Sequence, residues 1–552
     1  MVVTFEEEKQ KKRLEQLRWL EEENRARITA QKSGLPYLDL SAVPVDAEAL
    51  ITIEEARART AELAIIQKSY KVLRIAVKDH ANQETAKILE ELKQKGYQIS
   101  LFVVSSRSLE KAWEQYKTAP KAAKVITGKI EISELKKEIE TFEGLRTKIE
   151  TLPPTQTSAI AEILLAGGLK FDASDIHIEP ETDKVRLRYR IDGILQDISF
   201  FSFKIFNSLL SRIKLLSGLK INIHDIAQDG RFTILLDQTE IEIRVSIIPG
   251  AYGESIVMRI LNPAAISVGI EQLGFREDDN QIVSEQLERP NGMILNTGPT
   301  GSGKTTTLYA FLKKMNEPGI KIITIEDPIE YHIKGITQTQ VEAEKGYTFA
   351  NGLRSIVRQD PDVILVGEIR DQETAEIAVH AALTGHLVFS TLHTNDAPGA
   401  IPRLIDIGVK PNILPSSLNL VIAQRLIRKV CASCGQKEKI SPELFEKFKT
   451  TLAGLPKRVK KPELSSNTTL AKPAAAGCDK CHQTGYKGRV GIFELFIMTP
   501  EMEKLIITSP PESEIQNLAR KAGMVTMAED GVIKIIQGIT TLEEVEDAVG
   551  SI

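Results

Sequence analysis

The chain has 552 residues, 42% hydrophobic and 26% charged, and its 71 Lys and Arg against 75 Asp and Glu leave a formal charge of −4. At ~150 residues per domain this predicts about three to five globular domains, with no whole-chain footprint of a nucleic-acid binder. Apolar runs fall short of the ~18 residues that span a bilayer, and the N-terminus lacks the apolar core of a signal peptide, so a cytoplasmic chain is expected.

Residues 1–30 are charge-dense, from Glu6-Glu7-Glu8 to Lys11-Lys12-Arg13, with only Leu14, Leu17 and Leu20 as apolar punctuation. They read as a mostly solvated helix, either a docking segment or a frayed extension. From Leu35 to Tyr116 a small α/β unit follows, with strands at 72–77 and 98–104. Helical spacing places Ile88 and Leu92 on one face, and Leu109, Ala112, Trp113 and Tyr116 on the next. Residues 117–155, rich in Lys and Glu and ending at Pro153-Pro154, read as a helical or flexible connector.

The texture changes near Thr157. A helix over 160–168 leads into alternating strands at 175–179 and 185–191, an Asp192-Gly193 hairpin turn, a helix at 205–216, and strands near 231–236, 240–247 and 255–261. Arg186, Arg188, Arg190, Arg231, Arg244 and Arg259 recur along them. Alternate positions on half-buried strands are often merely solvated. The sharper reading is a cationic surface facing a nucleotide, since phosphoryl transfer gains from an arginine placed beside it or lent by a neighbouring subunit.

Gly298-Pro299-Thr300-Gly301-Ser302-Gly303-Lys304-Thr305 is a full match to the phosphate-binding pattern G-x-x-x-x-G-K-[ST]. Its glycines let backbone N–H groups turn towards phosphate oxygens, Lys304 meets the β- and γ-phosphates, and the Thr305 hydroxyl reaches Mg²⁺. Met293-Ile294-Leu295 before it reads as a buried strand. Thr306 onward reads as a helix with Leu308, Phe311, Leu312 and Met315 on one stripe, which puts phosphate at a helix N-terminus.

Downstream, a β-rich segment at 321–325 ends in Glu326-Asp327-Pro328-Ile329-Glu330. The apolar run Val363-Ile364-Leu365-Val366 ends in Gly367-Glu368. An apolar strand closing on an acid suits the Mg²⁺ shell at the C-terminal edge of a parallel sheet. Glycine stands where many ATPases carry aspartate, which leaves Glu368 as the metal-shell ligand and Glu330 as the carboxylate that activates water. A third strand at 387–391 is flanked by His386 and His393. Single histidines are more often structural than catalytic, so the pair carries little by itself.

These residues together resemble the secretion and pilus-assembly ATPases, closest to the type IV pilus assembly ATPase and its type II secretion counterpart. The resemblance rests on 298–306, the acidic box 324–331, Arg358-Gln359-Asp360-Pro361-Asp362, Gly367-Glu368-Ile369-Arg370-Asp371, and Thr384-Gly385-His386 through Thr391-Leu392-His393-Thr394. Upstream it includes Ala173-Ser174-Asp175-Ile176-His177 and Gln228-Asp229-Gly230-Arg231. It implies a multidomain α/β chain: a charged helix (1–30), an α/β docking domain (31–120), a linker (121–156) and a PAS-like α+β domain (157–268). A RecA-like P-loop ATPase core (269–428), a zinc subdomain (429–492) and C-terminal helices (493–552) follow. It implies a homohexameric ring that binds ATP and Mg²⁺, lies peripheral to the membrane, and works beneath an inner-membrane platform protein, with a cytoplasmic docking partner for the N-terminal domain. His386 and His393 would sense phosphate, and Arg231 and Arg244 would reach a neighbour's nucleotide. Some relatives bind cyclic di-GMP through paired motifs that are not evident in residues 1–35, so that ligand is not expected.

All four cysteines fall in two C-x₂-C pairs, Cys431/Cys434 and Cys478/Cys481, a tetrahedral Zn²⁺ signature despite the long gap between them. The extension ATPases of the resembling family carry the same insertion, including Gly485-Tyr486-Lys487-Gly488-Arg489. Residues 456–475, rich in Lys, Pro, Ser and Ala, read as a mobile loop. Two rival functions share the phosphate loop: a kinase-like phosphotransferase, for which no acceptor pocket is legible, and a DNA-uptake or conjugation motor, although no nucleic acid is expected as partner.

Overall fold

The computed structural model describes residues 21–552 except 41–46, 51, 70–71, 80–81, 95–96, 115, 117–138, 140, 152–156, 238 and 264–267. Most of the expected connector, and the first twenty residues of the expected N-terminal helix, lie outside the described residues; residues 21–33 are helical. The chain divides into two units, Met1–Thr127 and Gly128–Ile552.

In the first unit β1 (Leu63–Ser69), β2 (Val72–Val77) and β3 (Gln98–Val103) form one sheet, with β1 antiparallel and β3 parallel to the central β2. Strand β1 is absent from the sequence reading. Its Leu63 and Ile65 enter one apolar cluster while Ala64 and Ile66 enter the other, so both faces are buried and no alternation marks it as a strand.

In the second unit β4 (Asp175–Pro180), β5 (Val185–Ile191), β6 (Ile194–Phe201), β7 (Gln228–Leu236), β8 (Thr239–Gly250) and β9 (Gly253–Leu261) make an antiparallel sheet in the order β6-β5-β4-β9-β8-β7. The β5–β6 hairpin turns through Asp192 (φ +49°) and Gly193 (φ +91°), both left-handed as a two-residue hairpin of the primed type requires. One face, with Ile176, Leu187, Tyr189, Ile243 and Val245, packs under helices Thr157–Lys170 and Phe203–Leu216. Helix Phe142–Thr151 adds Leu145 and Ile149 to this core, so the domain begins before residue 157 and the connector is shorter than expected.

The remaining sheet contains β10 (Gly292–Thr297), β11 (Ile322–Glu326), β12 (Thr337–Gln340), β13 (Val363–Val366), β14 (Leu387–Leu392) and β15 (Leu418–Val430). After the short hairpin of β16 (Gln436–Lys439) and β17 (Thr469–Lys472) comes β18 (Tyr486–Ile497). Their order is β12-β11-β13-β14-β10-β15-β18, with all neighbours parallel except β15 and β18. β10, β11, β13 and β14 are buried along their whole length, as parallel strands covered on both faces must be. The C-terminal ends of β10, β11, β13 and β14 therefore open on one edge, where ligands of such sheets bind. Residues 456–475 are not the mobile loop expected: Val459 is buried, Leu464 and Leu470 pack on the core, and β17 pairs with β16.

Candidate functional site

The loop after β10 needs glycine for two reasons at once. Gly298 (φ +146°) and Gly303 (φ +90°) lie in backbone regions closed to most side chains, and a Cβ would stand 2.5 Å from Gln424 O at the first and 2.8 Å from Gln424 Nε2 at the second. Gln424 on β15 thus presses the loop into shape, and it also accepts from Thr307 Oγ1 (2.8 Å) and Asn296 Nδ2 (3.0 Å). Thr300, Gly301, Gly303, Lys304, Thr305 and Thr306 line a cleft of about 880 Å³ at the N-terminus of helix Lys304–Met315. Ser302 is buried behind them. Lys304 Nζ donates to Gly298 O (2.7 Å) and Pro299 O (3.0 Å). Burial takes its ammonium down to about 8, with Arg425 acting the same way and Glu368 opposing both.

Three glutamates share this cleft in different states. Glu326, at the end of β11, is buried and held by Thr324 Oγ1 (2.5 Å), Gln338 Nε2 (3.2 Å) and the Tyr309 hydroxyl. Glu330 follows the cis Asp327-Pro328 bond and is open to the cleft. Desolvation by the cleft walls raises its carboxyl above the usual range. Arg244, Arg259 and a hydrogen bond from Thr305 oppose that rise, while Glu326 adds to it. Glu368, beyond β13, accepts from Arg370 Nη2 (2.5 Å) and stands 3.5 Å from His393 Nε2. A Cβ on Gly367 would lie 3.3 Å from Ile325 O, so β11 runs too close for an easy aspartate there. The Thr305 hydroxyl and Glu368 carboxylate are oxygen donors, the kind Mg²⁺ takes together with phosphate.

The two histidines part company. His393 follows β14 at the edge of the loop, where Thr394 N donates to Thr297 Oγ1 (2.8 Å), and it lines the cleft. His386 precedes β14, bonds its own helix end at Ala381 O through N (3.2 Å) with Nδ1 3.0 Å from the same oxygen, and does not line the cleft. A six-residue strand separates the pair by ~20 Å, so the expectation that His386 senses nucleotide is corrected.

The arginines also divide. Arg244 Nη2 donates to Ile329 O (2.6 Å) of its own chain, one residue before Glu330, from a strand inside the sheet, and it is outside the cleft lining. Arg231, on edge strand β7, is 69% exposed, 3.6 Å from Glu242, and outside the cleft lining. Arg190, Arg259, Arg370 and Arg489 line the cleft; the sequence offered Arg190 and Arg259 among six arginines of a cationic surface facing a nucleotide and gave Arg370 and Arg489 no role there. Their alternation was visible, but their convergence depends on a cross-strand register that local pattern does not carry.

The four thiols stand within 4.8 Å of one another. Sulfur separations are 3.9 Å for Cys431–Cys478 and 3.7 Å for both Cys434–Cys481 and Cys478–Cys481. A tetrahedron with ~2.3 Å zinc–sulfur bonds has edges of about 3.8 Å, so the cluster fits Zn²⁺. The long gap closes because Cys431 directly follows β15 and Cys481 shortly precedes β18, and these strands pair as far as Val430 and Tyr486. Against the burial that would raise it, N–H groups of Cys478 and Gly485 hold the Cys481 thiol at about 7.

Residues 157–547 match the family described as Type II/IV secretion system protein, and residues 33–123 match the MshEN domain. The chain is 42% identical over 427 residues to Type II secretion system protein E of Pseudomonas aeruginosa, covering 77% of this chain and 82% of that one. It is 36% identical over 531 residues to Type IV pilus assembly ATPase PilB of Myxococcus xanthus, covering 95% and 91%. The Yersinia pseudotuberculosis ATPase DotB shares the fold, with a TM-score of 0.52 at 20% identity over 72% of this chain and 95% of that one. With this match over most of its length, and with a P-loop core, a preceding antiparallel domain and a tetracysteine insertion, the chain belongs to the type II/IV secretion system protein family.

Proposed function

We propose that this protein is a motor that couples ATP hydrolysis to type IV pilus assembly, working as a homohexamer on the inner face of the cytoplasmic membrane against a platform protein. The chain is an ATP-hydrolysing enzyme of its family. Among the described residues no helix is long and apolar enough to cross a membrane. In this reading the backbone N–H groups of 300–305 and Lys304 hold the phosphates, Thr305 and Glu368 would hold Mg²⁺, whose charge would offset that of the phosphates, and Glu330 takes the proton of the attacking water. His393 follows phosphate through its neighbour Glu368. The four cysteines would hold a structural Zn²⁺ between the end of β15 and the start of β18.

The observation that carries pilus assembly is coverage. The pilus relative aligns over 95% of this chain, the N-terminal third included, whereas the secretion relative aligns over 77%. Higher identity, 42% against 36%, favours type II secretion as the second reading. Deleting the gene decides between them: loss of surface pili with normal export supports the proposal, and intact pili with lost export overturns it.

A further inference from the structure

The loop that leaves β14 runs back across the sheet in the order β10, β15, β18, and each strand that it crosses holds one residue of it. Thr394 N donates to Thr297 Oγ1 at the end of β10 (2.8 Å), Asn395 Oδ1 accepts from Arg425 Nη2 of β15 (3.2 Å), and Ala397 N donates to Glu494 Oε1 of β18 (2.9 Å). His393 begins this loop at the cleft, 3.5 Å from Glu368. Glu494, where the crossing ends, is 4% exposed and has no part in the hydrolysis scheme.

A buried carboxylate needs donors, and Glu494 finds them in the backbone. Besides Ala397 N it accepts from the N–H of Met527, the first residue of helix Met527–Ile536, where a helix leaves its N–H groups unpaired and its dipole favours a negative charge. Desolvation still pushes the carboxyl up to about 7, the two N–H groups and Arg520 opposing the rise and Asp396 adding to it. Arg520 itself pairs with Glu529. One side chain thus binds both the loop that carries His393 and one of the C-terminal helices.

We infer that Glu494 is a positioning residue that fixes the loop of His393 and the start of helix Met527–Ile536 to one another, so that a change at His393 in the nucleotide cleft reaches the C-terminal helices. The inference rests on the ATPase reading above. A carboxylate accepts from both sides at once, whereas an amide presents an oxygen on one side only, so exchanging one oxygen for nitrogen is enough to part the two elements.

The test uses full-length protein and follows hydrogen exchange of the amides at 528–531 without nucleotide, with ADP and with a non-hydrolysable ATP analogue, beside nucleotide affinity, turnover and the thermal midpoint. In wild type the analogue should change protection at 528–531 more than ADP does. Glu494→Gln should bind the analogue within ~3-fold of wild type, lose that response, and lower kcat by ~10-fold. Combined with His393→Ala it should cost no more than His393→Ala alone, since it acts through the same loop. If Glu494→Gln lowers the thermal midpoint, Met527→Pro and Met527→Ala carry the test. Both remove the buried side chain, but only proline removes the N–H, at a first helical position that suits it and after an extended Thr526 (ψ +159°). Met527→Pro should lose the nucleotide response and Met527→Ala should keep it. A wild type whose 528–531 amides ignore nucleotide, a response that survives in Glu494→Gln or Met527→Pro, equal loss in the two Met527 variants, or additive losses with His393→Ala would overturn the inference. Wild-type protein that binds neither nucleotide would overturn the ATPase reading itself, and this inference with it.

Discussion

Arg244 extends from β8 to donate through Nη2 to Ile329 O of its own chain at 2.6 Å, one residue before Glu330. The antiparallel domain and the P-loop domain thus meet at the carboxylate proposed to activate water, and a change in their orientation changes the charge around it. If hydrolysis moves one domain against the other, this contact converts chemistry into motion.

Arg244 and Arg231 should therefore behave differently in mixed rings. Replacing either by Ala should cut turnover by ~10³-fold in a pure ring, the scale of an arginine finger. Arg244→Ala subunits, acting on their own cleft, should lower the activity of a mixed ring in proportion to their fraction. Arg231→Ala subunits, whose exposed guanidinium sits on the edge strand, should poison wild-type neighbours. Titrating mutant into wild type and plotting ATPase activity against fraction checks both; a proportional fall for Arg231→Ala would remove the shared-site role.

Turnover should also fail on the acid side at a higher pH than an ordinary glutamate would impose. Desolvation by the cleft walls raises the carboxyl of Glu330, open to the cleft though it is, so its protonated form suits the folded state: that stabilisation is complete below the usual value of ~4.3 and is lost as pH rises through the raised one. A base must be ionised, so the acid limb of kcat follows the raised value. Arg244 holds Glu330 down, so Arg244→Gln should push the limb further up. Single-turnover rates against pH test this, and a limb that does not move would argue that another group titrates.

Zinc should number one per chain, and its removal should loosen the antiparallel domain before the P-loop core. His482, next to Cys481, packs its ring 4.8 Å from Phe171 and 5.7 Å from Phe142, while Gly488 N donates to Asp192 Oδ2 (2.9 Å) and Lys487 lies 3.2 Å from Asp172. Cys→Ser variants should lose metal and become protease-sensitive near 142–192. His482→Ala should keep the metal and lose ~1 kcal/mol of aromatic contact at that seam. Metal analysis with limited proteolysis decides; protein purified without chelator and free of zinc would contradict the assignment.

How much of this was legible depended on whether the information was local. Val363–Val366 could be read because a strand buried on both faces is a short apolar run, and the Asp192-Gly193 turn because left-handed backbone selects those residues. The pairing of Asp175 with Arg259 could not, since the two stand 84 positions apart and only the β4–β9 register joins them. His386 and His393 looked equivalent because both flank one strand, yet direction along that strand puts only one at the ligand edge. The polar composition of 456–475 hid Val459, Leu464 and Leu470, whose few apolar side chains are enough to hold the segment down.

The central claim is that Glu330 activates water while Glu368 serves the metal. Water activation acts in the transition state, whereas a metal ligand also acts on the bound ground state. The direct measurement is ATP affinity with single-turnover hydrolysis across Mg²⁺ concentration for Glu330→Gln and Glu368→Gln. Glu330→Gln should bind Mg-ATP as wild type does and hydrolyse it ~10²-fold or more slowly. Glu368→Gln should lose turnover with an altered Mg²⁺ requirement. Near-normal hydrolysis by Glu330→Gln would contradict the account. Glu326, already held by Thr324, Gln338 and Tyr309, would then be the next carboxylate to replace.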